Sequence, residues 1–165
     1  MKKGLIRVTN IRNVSKGQYD KTVAIVRSLK NPSPWMEQCS ALSPSADLFH
    51  WYLREKEAGR WSEKAFAEEY VPRFLNEVIG NREAIDALNY FYNLQKRGEQ
   101  VALLCFCPNE ELCHRSIVAG LLQGVGANVE TDKKQDYTKY YQQYLEIRAE
   151  RKAQRERNKN EQERE

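Results

Sequence analysis

The sequence predicts an α/β fold: a single compact three-layer sandwich with a mostly parallel central sheet and a long C-terminal helix. Three observations lead there. Residues 101–106, VALLCF, form a run apolar enough for a strand covered on both faces, as central parallel strands are. A polar loop, a helical pattern over 113–123 and a short strand signal at 127–129 follow it, which is the order of a βαβ unit. The chain has 165 residues, 41% of them hydrophobic and 30% charged, enough for one domain with a sizeable core and hardly for two.

Leu5-Ile6-Arg7-Val8 reads as a first strand, and a polar turn containing Gly17 separates it from a second over Thr22–Val26, rich in β-branched side chains. The second strand ends at Arg27-Ser28. Two prolines in NPSPW, 31–35, exclude a regular helix and predict an extended loop beyond the strand's carboxyl end, where open α/β sheets place ligands. Ser43-Pro44-Ser45 caps a helix through Leu48, Trp51 and Tyr52. Ser62 begins another, with Phe66, Tyr70 and Phe74 at four-residue spacing, and Pro72 kinks it or marks a new start. Asn81 caps a third, which stops at Gly98. These three helices are expected to supply the outer layers.

After VALLCF and the loop CPNEEL, a helix over Cys113–Gln123 turns Ile117, Leu121 and Leu122 inward and closes at Gly124 and Gly126. A long helix is expected from Asp136. Its stripe of Tyr137, Tyr140, Tyr141, Tyr144 and Leu145 is read as docking onto the domain or a partner helix, in preference to nucleic-acid stacking. Residues 146–165 hold seven basic and six acidic side chains, the composition of a solvated helix that frays. The boundaries that follow are an α/β domain over 1–132 and a Tyr-rich helix with a charged tail over 133–165, through which a dimer could form.

No run approaches the eighteen or more apolar residues that span a bilayer. The opening MKKGLIRVTN lacks the apolar stretch of a secretory signal, and four clustered cysteines do not make a disulfide scaffold, so a reducing cytoplasm is the expected setting. The net charge is +4, unevenly placed: residues 1–30 carry eight Lys or Arg against one acid, Asp20. Such a basic face attracts phosphate-bearing ligands.

The sharpest chemical constellation is Cys105, Cys107, Cys113, His114 and Arg115. A strand ending near Cys107 and a helix starting near Cys113 bring these side chains to the carboxyl edge of the sheet, where free helix amides and a partial positive dipole favour an anion or a thiolate. Arg115 adds a fork of donors suited to phosphate or carboxylate, and Arg27 sits at the equivalent edge of another strand. Cys113 or Cys107, assisted by His114, is the candidate nucleophile or base pair. A zinc site built from Cys105, Cys107, Cys113 and His114 is an alternative, although the spacing lacks paired CxxC. The bland reading makes the cysteines small buried hydrophobes, His114 a backbone partner and Arg115 half of an internal ion pair.

A phosphatase-type loop needs an arginine six residues after its cysteine, and Cys107 to Arg115 is eight. Neither GxGxxG nor GxxxxGK occurs, so dinucleotide-fold and ATPase readings have no local support. Trp35, beyond Arg27, is expected to cover a flat ring, and Ser116 to join Arg27, Trp35 and Arg115 among the ligand contacts. His50 is expected on a helix surface. Asp47, Glu63, Glu68 and Glu69 are further acid or base candidates.

Three segments, VAIVRSLKNPSPW at 23–35, LSPSADLFHWY at 42–52 and VALLCFCPNEELCHRSIVAGLL at 101–122, resemble the bacterial and phage DUF488 family, with features of its YeaO-like branch. The resemblance spans about 100 residues, and the CHRS after a strand is its specific part. It implies a compact α/β sandwich with the early arginine and the CHR group at one edge. Val26 stands where the family often has aspartate, and the YeaO-like branch generally lacks the CHR group kept here. The function expected is binding of a phosphorylated small molecule, nucleotide or nucleic-acid end at a Cys-His-Arg pocket, with thiol- or histidine-assisted catalysis. The competing expectations are a noncatalytic nucleic-acid or protein interaction module and a zinc-binding protein.

Overall fold

A computed structural model describes residues 3–31 and 33–164. Pro32, the first proline of NPSPW, lies outside the described residues. Five strands, β1 (Leu5–Asn10), β2 (Lys21–Ala24), β3 (Glu37–Gln38), β4 (Gln100–Cys105) and β5 (Val129–Thr131), form one sheet in the order β3-β2-β4-β1-β5. Every pairing is parallel. β4 is central, as its apolar run predicts, and Val101 to Leu104 are fully buried.

The sequence reading placed the ends of several strands wrongly. β1 runs to Asn10, because its full length pairs with β4. β2 ends at Ala24, although the Ile25 N–H still donates to the Leu104 carbonyl. The short edge strand β3 has too little hydrophobic pattern, Glu-Gln, to be read at all.

The described residues also hold six α-helices: α1 (Ala46–Glu57), α2 (Glu63–Ala65), α3 (Val71–Ile79), α4 (Arg82–Lys96), α5 (His114–Gly124) and α6 (Lys139–Glu163). Ser45, Ser62 and Asn81 cap α1, α2 and α4 with their side-chain oxygens, as their residue types favour. Between α2 and α3 the chain makes a π-helical turn over Phe66–Tyr70. Pro72 has no N–H for the helical ladder, and the Val71 N–H reaches back five residues to the Phe66 carbonyl. The predicted kink is therefore a π-bulge.

Helical side chains, the sheet residues Ile6, Val8, Val23, Val101 and Leu103, and Ile25 just past β2 make one core. The opposite sheet face, at Ala102 and Leu104, is covered by irregular chain carrying Ile11, Val14, Tyr19, Trp35 and Met36. Three layers result, the third a thin one of irregular chain where helices were expected. The tyrosine stripe docks onto its own domain: Tyr137, just before α6, and Tyr140 are buried in the core, and Tyr141 and Tyr144 pack against it. α5 and α6 approach closely through glycine. A Cβ at Gly120 would stand 2.1 Å from the Tyr137 carbonyl oxygen, and one at Gly124 2.1 Å from Tyr141 Cγ. The Arg151 guanidinium donates to the Asn76 carbonyl at 2.9 Å, tying α6 to α3 well into the charged segment.

Candidate functional site

The chain leaves β2 toward β3 and leaves β4 toward β5, on opposite sides of the sheet. Between the carboxyl ends of these two adjacent strands lies a cleft of about 660 Å³, the position where such sheets hold ligands. Its floor is Cys105, Cys113 and His114, its walls include Cys107 and the outer face of α1, and Arg27 stands at its edge. A second, more polar groove of about 550 Å³ shares Arg27, Ser43 and Pro44 with it. Gln38 fixes the backbone at Arg27 by donating its amide to the Val26 and Arg27 carbonyls at 3.1 and 2.8 Å.

Cys105 is the last residue of β4, and Cys113 immediately precedes α5, so two rigid elements set the floor. The two sulfurs are 3.3 Å apart, and His114 Nδ1 lies 3.7 Å from Cys113 Sγ and 4.0 Å from Cys105 Sγ. His114 Nε2 is 2.7 Å from the Ile25 carbonyl oxygen. A carbonyl only accepts, so Nε2 carries a proton and Nδ1 faces the sulfurs.

The thiol hydrogen bond from Cys113, reinforced by His114, draws Cys105 far down to about 3, against the opposing effect of burial. Cys113 moves the other way, pushed up by burial and then by its two thiol neighbours. Burial pulls His114 down, but the Cys105 thiolate and the Ile25 carbonyl together outweigh it and hold the imidazole above its usual range. The floor thus favours charge on Cys105 and disfavours it on Cys113, with His114 Nδ1 beside both sulfurs. Cys107, half-buried, is lowered to about 6, chiefly by the neighbouring Cys113 thiol. All four cysteines of the chain are free thiols, and the donor atoms of Cys105, Cys113 and His114 lie within 4.8 Å of one another, so this group could hold a metal ion. Cys107 is not part of that close set.

Arg27 lines the cleft, but Arg115 does not join it there. Arg115 is 2% exposed; its guanidinium donates to the Cys107 carbonyl and faces Asp132 at 3.8 Å. These partners take the buried charge away from the cleft, so the expected pair of converging arginines does not form. The Asn10 side-chain amide meets the same Cys107 carbonyl at 3.1 Å, and Asp132 is held in turn by Arg7 at 2.6 Å and Thr9 at 2.8 Å. Ser116 is fully buried and donates to the Cys113 carbonyl, as a first-turn hydroxyl does, and it does not line the cleft. Trp35 is corrected too: it packs near Ala102 and Leu104 on the far face of the sheet. Asp47, Glu63, Glu68 and Glu69 do not line the cleft.

Several residues that matter here escaped the sequence reading. Phe49, Tyr52, Leu53 and Lys56 line the cleft from α1, and their i, i+3, i+4, i+7 spacing is a legible second face of that helix. His50, though exposed as expected, is also a lining residue. Glu110 is buried and accepts from the Asp132 and Lys133 N–H groups at 2.9 and 3.3 Å and from the Tyr137 hydroxyl at 2.7 Å. It ties the CPNEEL loop to the start of α6, a role no local pattern announces.

Among the described residues, no helix is long and apolar enough to cross a membrane. No curated protein and no solved structure gives a significant match to the chain. A family model described as the active DUF488-N3 subclade matches residues 6–126, a span that holds β1 from Ile6, β2, β3, β4 and every residue of the cleft but not β5. The chain therefore belongs to the DUF488 family.

Proposed function

We propose that the protein binds a phosphate-bearing ligand, a phosphorylated small molecule, nucleotide or nucleic-acid end, in the cleft between β2 and β4, and acts on it with the Cys107 thiolate. One observation carries the reading: the cleft lining presents the cations Arg27 and Lys56 and the rings of Phe49, Tyr52 and Phe106, with no carboxylate among the described residues. Cations without acids favour an anion, and open aromatic edges favour a flat ring beside it. Phe49 and Phe106 are 39% and 47% exposed, an apolar surface that a bound ring would cover.

Cys107 is the accessible thiol of the cluster, and its loop is held by Asn10 and Arg115, which makes Arg115 a positioning residue. His114, held by the Ile25 carbonyl at Nε2, keeps Nδ1 beside the floor sulfurs. The description of the matching subclade as active supports the catalytic half of this reading. A reducing cytoplasm, where four free thiols persist, is the setting it implies. A second reading, in which the cleft floor holds a zinc ion, is favoured by the mutual spacing of Cys105, Cys113 and His114.

Calorimetric titration with a nucleoside, its monophosphate and a 5′-phosphorylated oligonucleotide tests the first reading. The phosphorylated ligands bind, the bare nucleoside binds at least tenfold more weakly, and Arg27→Ala or Lys56→Ala costs about 1.5–3 kcal/mol of that affinity. Equal binding of nucleoside and monophosphate, or no binding by any of the three, refutes it.

A further inference from the structure

We infer that Cys105, Cys113 and His114 form a three-ligand site for a divalent ion of the zinc class, with its fourth coordination position open to the cleft. The inference rests on the zinc reading above and is independent of the phosphate-ligand reading.

The three donor atoms form a triangle with edges of 3.3, 3.7 and 4.0 Å. Its circumradius is about 2.1 Å, against about 2.3 Å for Zn–S and 2.0–2.1 Å for Zn–N bonds. An ion just off the plane of this triangle reaches all three donors with sub-ångström adjustment. His114 is oriented as a ligand needs to be: its Nε2 proton goes to the Ile25 carbonyl at 2.7 Å, which leaves the Nδ1 lone pair facing the sulfurs. The ligands sit on the end of β4 and the start of α5, so they are in place before an ion arrives.

Charge balance agrees. Two thiolates neutralise a divalent ion, which suits a floor whose residues are only 3–7% exposed. On binding, each thiol proton not already lost and any proton on His114 Nδ1 go to solvent, and the sulfur and Nδ1 lone pairs form the bonds; nothing is oxidised or reduced. All three ligands line the cleft, so the remaining tetrahedral direction has the cleft as its outlet. Cys107 is not a fourth ligand: its Sγ lies 3.7 Å from the Asn109 carbonyl oxygen, outside the close donor set. A three-ligand site with an open position is the arrangement of catalytic zinc, where a water or a ligand oxygen completes the shell.

Cobalt(II) titration of the reduced, metal-free full chain tests this. One equivalent gives thiolate-to-cobalt charge-transfer absorption with the intensity of two thiolates and the visible bands of a four-coordinate ion. Cys105→Ser and Cys113→Ser each remove half of the charge-transfer intensity or all of it, Cys107→Ser leaves it unchanged, and thiocyanate shifts the visible bands by entering the open position. Loss of a third of the intensity in Cys107→Ser, or visible bands unmoved by saturating thiocyanate, overturns the open site while the zinc reading stands. No charge-transfer band in a protein with unchanged circular dichroism overturns both.

Discussion

Glu110 offers the sharpest test of how the cysteine loop is held. Its carboxylate collects two backbone N–H groups and the Tyr137 hydroxyl while buried at 2% exposure. Tyr137→Phe deletes one hydrogen bond to a charged group, about 1.5–3 kcal/mol. Glu110→Gln keeps the shape but turns one end into an amine; the Tyr137 hydroxyl can rotate to accept from it, whereas the N–H of Asp132 or Lys133 then faces a donor. That costs about 2 kcal/mol. The Tyr137–Glu110 bond is counted in both variants, so the double variant loses about 1 kcal/mol less than the sum. Urea unfolding measures all three. At this chain length each kcal/mol moves the Tm by about 2–4 °C, so the single variants fall by about 3–12 °C. Single variants within about 0.5 kcal/mol of the parent, or losses that add, refute the reasoning.

Two further outcomes are expected. In metal-free protein, the rate of Cys107 alkylation rises with pH up to about 6 and then levels, because a lowered thiol pKa means the thiolate is present above that value and lost below it; a rate still climbing past pH 8, followed by mass spectrometry of the labelled peptide, contradicts this. Gly120→Ala destabilises by about 1–2 kcal/mol despite the better helix propensity of alanine, since its Cβ would meet the Tyr137 backbone, while Gly80→Ala, at φ −82° with its nearest contact at 3.5 Å, stays within about 0.5 kcal/mol; a stabilised Gly120→Ala protein would show that α6 does not sit where it is placed here.

The central strand, the serine and asparagine caps and the meeting of Cys105, Cys113 and His114 were legible because each follows from local pattern: an apolar run, a capping residue, a strand followed by a helix. The convergence of Arg115 with Arg27 was not, because Asp132, the acid that draws Arg115 away, lies 17 positions along the chain, just past a strand only three residues long. Trp35 was misplaced for a related reason. Loop residues have no periodicity to assign them a side of the sheet, and an indole satisfies either one. The cleft face of α1 was present in the spacing of Phe49, Tyr52, Leu53 and Lys56, but the stronger inward stripe of the same helix masked it.

The carbonyl of Cys107 is gripped by Asn10, 97 positions earlier, and by Arg115 from the following helix. Contacts that distant in sequence close late, after the ends of the sheet have met. The cysteine loop therefore takes its final shape only when β1 has already paired with β4 and α5 has docked. A partly folded or newly made chain carries the same thiols without the cleft geometry around them, and reactivity appears with the native state as a whole. By the same logic, conservative changes at Asn10 speed unfolding and leave the folding rate nearly unchanged.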